Sequence, residues 1–195
     1  GEELGMTNAY FHKLEDYKDI ESIQYYTELT DAGLMEPDYM MKCLMLRSRD
    51  NARTPMQWNT EKNAGFTDGE PWIAVNDNYK TINAEAAVKD PESVFFYYKK
   101  LVQLRHEVPV ITDGVYKLLD ADNEKVYTYL RLRKNEDETL LVICNFTKET
   151  IDYPVGDFVE ATQGTLLISN YDDAPQQYAD AIELKPYGAY VYEIK

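Results

Sequence analysis

The chain has 195 residues, with 20 Lys and Arg against 35 Asp and Glu, a formal net charge of −15 and 44% hydrophobic residues. This length and hydrophobic content predict one domain or two small ones with a buried core, and argue against a disordered tail. The negative charge would repel a phosphate backbone or an anionic lipid surface, so it disfavours nucleic acid and membranes as partners and leaves neutral sugars open.

A helical hairpin follows an aperiodic opening loop. Asp19 can cap a helix from Ile20 to about Thr30, and Gly33 can end it. A second helix begins at Pro37, a favoured first-turn residue, and runs toward Arg47. Its inner side carries four apolar residues, which are Met40, Met41, Leu44 and Met45.

The stretch directly after this hairpin concentrates planar polar groups. Residues 48–58 read Ser-Arg-Asp-Asn-Ala-Arg-Thr-Pro-Met-Gln-Trp. Arginines supply forked donors, Asp and Asn pair with vicinal hydroxyls, and Trp offers a flat apolar face, which together are suited to holding a sugar. The alternative is a polar loop whose charges pair with one another. The hairpin would bring Glu21 and Arg49 onto one rim.

A third helix is predicted to open with Asp90 as cap and Pro91 in the first turn, and to continue through Leu104. Its apolar residues recur at helical spacing and form a broad face. Because large exposed apolar patches are rare on soluble monomers, we expect this face to be buried in a rebuilt core or against a second copy of the chain.

After Gly114 the hydrophobic period changes from helical to alternating. Short strands separated by turn residues are predicted over residues 115–119, 126–133, 139–146, 164–169, 181–184 and 189–194. This number of strands in so short a segment is typical of an antiparallel sandwich, with the more continuously apolar 139–146 in its centre. Tyr187, Tyr190 and Tyr192 fit core packing better than a sugar-binding surface.

No other pattern indicates a metal or cofactor site. His12 and His106 lack ligand spacing, and no Gly-rich phosphate loop is present, so neither a metal nor a cofactor is predicted. Cys43 and Cys144 are expected to be free thiols, which favours a cytoplasmic protein. The first residues show neither the basic start nor the apolar run of a signal peptide.

Several motifs resemble one branch of the α-amylase family. Besides residues 48–58, residues 63–72 read Asn-Ala-Gly-Phe-Thr-Asp-Gly-Glu-Pro-Trp, and further similar strings occupy 1–8, 16–21, 97–105 and 140–146. Together they resemble the oligo-1,6-glucosidases, dextran glucosidases and trehalose-6-phosphate hydrolases over essentially the whole chain.

The resemblance implies an α+β chain in two parts. Residues 1–108 would correspond to the end of a (β/α)8 catalytic barrel and residues 109–195 to a C-terminal antiparallel β-sandwich. In the family, the catalytic Asp and Glu lie before the string that resembles residues 1–8. No catalytic residue is therefore assigned in this chain.

The resemblance also implies roles for individual residues. Arg49 matches an arginine that hydrogen-bonds the non-reducing-end glucose, and Glu21 matches a glutamate near the next subsite. Asp50, Asn51 and Arg53 would brace the loop. Trp58 and Trp72 would be buried anchors of that loop, with sugar platforms as the alternative.

The function implied is that of the C-terminal part of a retaining α-glucosidase acting on α-1,6 or related bonds in short oligosaccharides. The alternative is a stand-alone, non-catalytic carbohydrate-binding or structural module. Linkage preference, and the choice between neutral and phosphorylated substrates, stay open.

Overall fold

The computed structural model describes residues 1–133, 138–159, 164–178 and 180–194. The backbone divides into two compact units, Gly1–Lys100 and Leu101–Lys195. The first is built from helices and long loops, and the second is mainly antiparallel β-structure. This order of elements is the α+β arrangement that the sequence predicts.

The first unit contains the predicted hairpin. Helix α1 spans Ile20–Asp31 and helix α2 spans Pro37–Arg47. The Asp19 side chain caps α1 by accepting a hydrogen bond from the Ser22 amide at 3.2 Å, as expected. Gly33 follows with a φ of 67°, a left-handed conformation that favours glycine at a helix end.

The inner faces of the hairpin pack on the opening loop. A small core joins Phe11 and Tyr17 of that loop to Met40 and Leu44 of α2 and to Ile73. The rings of Phe11 and Tyr17 meet edge to face at 5.7 Å. Met40 and Met41 on the inner side of α2 therefore serve packing, which sequence periodicity had indicated, whereas Met45 is half-buried and lies outside this core.

The remainder of this unit consists of turns and short helices. Single-turn helices span Arg49–Ala52, Lys62–Gly65 and Asp77–Lys80, and helix α3 spans Ala84–Ala87.

Helix α4 spans Val94–Glu107 and begins later than predicted. Asp90 does not cap it, because its side chain accepts from the Glu92 amide at 3.0 Å and its carbonyl from the Ser93 amide at 3.1 Å, which forms a turn. All of α4 is described, and none of its residues is buried. Burial of its apolar face in a rebuilt core, one of the two alternatives, is therefore wrong.

The second unit begins within α4, and helix α5, Val110–Asp113, follows. Seven strands follow in the described part of this unit: β1 Val115–Leu119, β2 Val126–Leu132, β3 Thr139–Asn145, β4 Ile151–Tyr153, β5 Gly164–Ser169, β6 Ile182–Leu184 and β7 Ala189–Ile194. Within these ranges one antiparallel sheet has the order β1-β2-β3-β7-β5, and β4 pairs with β6 separately. Strand β4 was missed because three residues carry no readable alternation.

A hydrophobic core joins the two sheets. Leu141, Ile143 and Tyr192 of the large sheet belong to the same buried cluster as Tyr153 of β4 and Leu184 of β6. Strand β2 alternates as predicted, with Val126, Thr128 and Leu130 buried, and β3 lies in the middle of its sheet. Tyr190 and Tyr192 are core residues, whereas Tyr187 is exposed.

The two cysteines, Cys43 and Cys144, are free and half-buried. Burial raises the pKa of the Cys144 thiol above its usual value.

Candidate functional site

The turn after α2 is fixed by a buried network of short side chains. The Ser48 hydroxyl caps the single-turn helix Arg49–Ala52 by accepting from the Asp50 amide at 3.3 Å, and it lies 2.9 Å from the Ser22 hydroxyl. Both serines are buried. The start of α1 and the end of α2 are thereby joined, which puts Glu21 and Arg49 on the same side of the hairpin.

Asp50 is fully buried and accepts from main-chain donors. Its Oδ2 atom accepts from the amides of Lys18 at 2.6 Å and Asp19 at 2.9 Å. Its Oδ1 atom lies 3.8 Å from the Arg53 guanidinium. Charge-assisted bonds to backbone amides are among the stronger hydrogen bonds in proteins, so Asp50 fixes the chain that enters α1.

Asn51 joins the same turn to the opening loop. Its Oδ1 accepts from the Ala9 amide at 3.1 Å, and its Nδ2 donates to the Met45 carbonyl at 3.1 Å. Asn51 and Asp50 thus connect separate segments of the first unit.

Asp19 is the residue on which the two arginines converge. Its Oδ1 accepts from Arg49 Nη2 at 2.8 Å and from Arg53 Nη1 at 3.3 Å, while Oδ2 caps α1. Burial raises the pKa of Asp19, but hydrogen bonds from Arg49 and Ser22 outweigh it and hold that pKa below its usual range. The sequence indicated Asp19 only as a helix cap. A helix cap uses one carboxylate oxygen, so the second oxygen was the signal that Asp19 could also accept from another donor.

Arg49 is held by two carboxylates and still faces solvent. Its Nη2 lies 2.8 Å from Asp19 and 2.8 Å from Glu21, and the side chain is 56% exposed. The hydrogen bond with Asp19, and then the charges of Asp19 and Glu21, raise the pKa of Arg49, so it stays protonated. Both ion pairs use Nη2, whereas Nε and Nη1 carry three more N–H donors.

A cavity of about 740 Å³ borders Arg49. Its lining includes the polar side chains of Thr7, Asn8 and Asn51. This volume is within the usual range of small-molecule sites, and the lining offers donors and acceptors next to a fixed cation.

The two tryptophans are not buried anchors. Trp58 is 51% exposed and Trp72 is 71% exposed, so that expectation is wrong for both. The Trp58 main chain does brace the loop, since its amide donates to the Ala64 carbonyl at 2.9 Å and its carbonyl accepts from the Glu85 amide at 2.9 Å.

Within the described ranges, no group of three or more His, Cys, Asp or Glu side chains could hold a metal ion. Among the same described residues, no helix has the length and apolar character needed to cross a membrane.

Comparison with known proteins connects this geometry to a family. The sequence-family model of the α-amylase catalytic domain matches residues 1–114, more than half of the chain. The chain belongs to the α-amylase family. A second model, the C-terminal domain of maltogenic amylase, matches residues 116–191 of this α-amylase-family chain. These matches confirm the family resemblance inferred from the motifs. They also confirm the predicted fold class, which is the end of a catalytic domain followed by a C-terminal β-sandwich.

Named relatives of this α-amylase-family chain include glucosidases and sugar-phosphate hydrolases. It is 46% identical over 195 residues to the oligo-1,6-glucosidase of Parageobacillus thermoglucosidasius, covering 100% of this chain and 34% of the relative. Among solved structures, trehalose-6-phosphate hydrolase of Bacillus licheniformis is 46% identical with a TM-score of 0.86, covering 100% of this chain and 35% of that one. Isomaltulose synthase of Klebsiella sp. LX3 is 36% identical with a TM-score of 0.92, covering 100% and 34%. The chain spans about a third of the length of the curated relatives it matches.

Proposed function

We propose that this chain is the C-terminal part of a retaining α-glucosidase that hydrolyses α-1,6 or related glucosidic bonds in short oligosaccharides. Residues 1–108 would complete the sugar pocket of a catalytic barrel, and residues 109–195 would form a stabilising sandwich. The observation that carries this proposal is the Arg49 guanidinium, pinned by Asp19 and Glu21 at 2.8 Å each but half exposed beside a cavity.

In this proposal Arg49 donates to the hydroxyl groups of the glucose unit being released. A guanidinium that is already oriented loses little entropy on binding, and its planar fork matches a pair of vicinal hydroxyls. Glu21, which is 53% exposed, would accept from the adjoining sugar. Asp50, Asn51 and Arg53 would keep the turn rigid without touching the substrate.

The proposal assigns no catalytic carboxyl group to a residue of this chain. Retaining glycosidases use two carboxyl groups roughly 5 Å apart, one as nucleophile and one as acid and base. The carboxylates around Arg49 already accept bonds from arginines or backbone amides, which suits positioning and not proton transfer. The 195-residue chain by itself would not turn over a glucoside.

A chimera tests the proposal. Replacing the matching third of the Parageobacillus thermoglucosidasius enzyme with this chain should give a hydrolase active on isomaltose. Arg49→Lys in that chimera should lower kcat/KM at least about a hundredfold, because Lys cannot supply the planar fork. The control is Arg105→Lys, an exposed arginine on α4. A folded chimera that keeps its rate with Arg49→Lys would contradict the proposal.

Two further assignments belong to this proposal. We place the protein in the cytoplasm, because free Cys43 and Cys144 suit a reducing compartment.

We also propose self-association through the exposed apolar face of α4, which includes Tyr98 and Val102.

A further inference from the structure

Trp72 lies in a groove that is separate from the Arg49 cavity. The groove has a volume of about 470 Å³ and is lined by polar side chains and two aromatic rings, among them Asp16, Lys18, Lys62, Glu70, Trp72 and Tyr79. Within the described residues it shares no lining residue with the cavity beside Arg49. A groove of this volume can hold a small ligand.

We propose that this groove is a second saccharide-binding site, which takes a neutral hexopyranose unit on the indole of Trp72. The apolar face of a pyranose ring packs on a flat aromatic surface, and its hydroxyls need donors and acceptors around the edge. Trp72, at 71% exposed, provides such a surface. Lys18 and Lys62 provide donors, and Glu70 provides acceptors.

Next to the groove, the turn that contains Asn63 is held by internal hydrogen bonds although its backbone is strained. Asn63, Ala64 and Gly65 have φ values of 51°, 55° and 68°, three consecutive left-handed residues. This conformation costs a residue such as alanine roughly 1–2 kcal/mol. It persists because the buried Ala64 carbonyl accepts from the amides of Trp58 and Asn59 at 2.9 and 3.2 Å.

The Asn63 side chain completes this bracing. Its Nδ2 donates to the carbonyls of Thr67 at 2.9 Å and Gly69 at 2.7 Å, which closes the loop that leads to Glu70 and Trp72. The backbone that leads to Trp72 is therefore braced before a ligand arrives, which lowers the ordering cost of binding.

The charges of the groove select a neutral ligand. Three carboxylates, on Asp16, Glu70 and Asp77, line it against two lysines. A phosphate group would meet repulsion from the three carboxylates, and the whole chain carries a net charge of −15. Neutral hydroxyls can pair with both signs of charge.

The two tryptophans of the chain allow a direct test. Trp58→Phe leaves Trp72 as the sole indole, and titration of that variant with isomaltose should give a saturable change in emission, with a dissociation constant of about 1 mM. Calorimetry on Trp72→Ala should show binding weakened about tenfold or more. Because Trp72 is exposed, its removal should leave the circular dichroism and thermal melting unchanged.

Three results would overturn this site. One is an unsaturable signal in Trp58→Phe, and another is unchanged affinity in a folded Trp72→Ala chain. The third is loss of the signal in Arg49→Ala, which would mean that the sugar binds at Arg49. Tighter binding of glucose 6-phosphate than of glucose would contradict the neutral class of ligand. Failure of the chimera, by contrast, bears only on the proposed hydrolase.

Discussion

Asp19 and Asp50 show how a few short side chains fix the turn after α2. Asp50 is buried among backbone donors, and Asp19 shares its two oxygens between a helix cap and two arginines. A buried carboxylate is stable only where donors replace the water it has lost. The two aspartates therefore join the turn to the start of α1 through hydrogen bonds that replace this lost water.

Replacing Asp50 should destabilise the first unit strongly. Asp50→Ala removes the acceptor for two amides and leaves them unsatisfied, at a cost of about 3 kcal/mol in the free energy of unfolding. Both tryptophans lie in the first unit, so urea unfolding followed by their fluorescence reports that unit alone. Asp68→Ala, at an exposed aspartate, is the matched control and should change stability by less than about 0.5 kcal/mol. Equal effects of the two variants would contradict this role.

The lowered pKa of Asp19 gives the first unit a defined acid sensitivity. A carboxyl group whose pKa is lower when folded than when unfolded stabilises the protein above the unfolded value, near 4. That contribution is lost as the pH falls through the folded value. We expect the urea midpoint from tryptophan fluorescence to fall as the pH drops from about 5 to 3. Asp19→Asn should be less stable at neutral pH but show a flatter profile, and parallel profiles would refute the assignment.

At the scale of elements, the α1–α2 hairpin is what brings Arg49 to Glu21. The cap on α1, the glycine after it and the proline at the start of α2 set where each helix begins and ends. The apolar side of α2 then sets how the pair packs on the opening loop. The position of the ion pair follows from these ordinary features.

Two leucines on α2 differ in burial, so replacing each one tests how α2 packs. Leu44 is 5% exposed and Leu46 is 61% exposed. Leu44→Ala should lower the free energy of unfolding of the first unit by about 3 kcal/mol, since it leaves a cavity in the small core. Leu46→Ala on the same helix should cost less than about 0.5 kcal/mol. The measurement is the same fluorescence-detected urea unfolding. A large loss of unfolding free energy with Leu46→Ala would contradict the burial of α2 described here.

At the scale of the whole molecule, α4 leaves apolar surface uncovered. Val94, Tyr98, Leu101 and Val102 are all exposed, although their spacing is that of a buried helix face. Exposed surface of this kind marks an interaction site more often than a free surface.

Self-association is therefore expected to depend on concentration. Light scattering across a dilution series should show dimer at high concentration and monomer at low concentration. Val102→Glu should shift the transition to higher concentration at least about tenfold, because a charge at the centre of an apolar contact is costly. Gln103→Glu, one residue further along, adds the same charge and is the control. A monomer mass at every concentration would contradict the proposal.

Much of the fold could be predicted from local patterns. The bounds of α1, α2 and most strands follow from caps, prolines and alternation, each a property of a few neighbouring residues. The start of α4 could not be predicted. An Asp-Pro pair can open either a helix or a turn, and here the Glu92 amide binds the Asp90 side chain first.

For the candidate site, the sequence by itself selected the candidate residues: Arg49, Glu21 and the polar turn around Asp50. The residue types, and the short spacing of Arg49, Asp50, Asn51 and Arg53, are local properties of the chain. Only the tertiary structure decided their partners and exposure. Asp19 is separated from Arg49 by 30 positions, and the two meet at 2.8 Å only because the hairpin folds back. The exposure of Trp58 and Trp72 likewise depends on what packs around a strained loop. Local sequence cannot predict it, because those packing partners are distant along the chain.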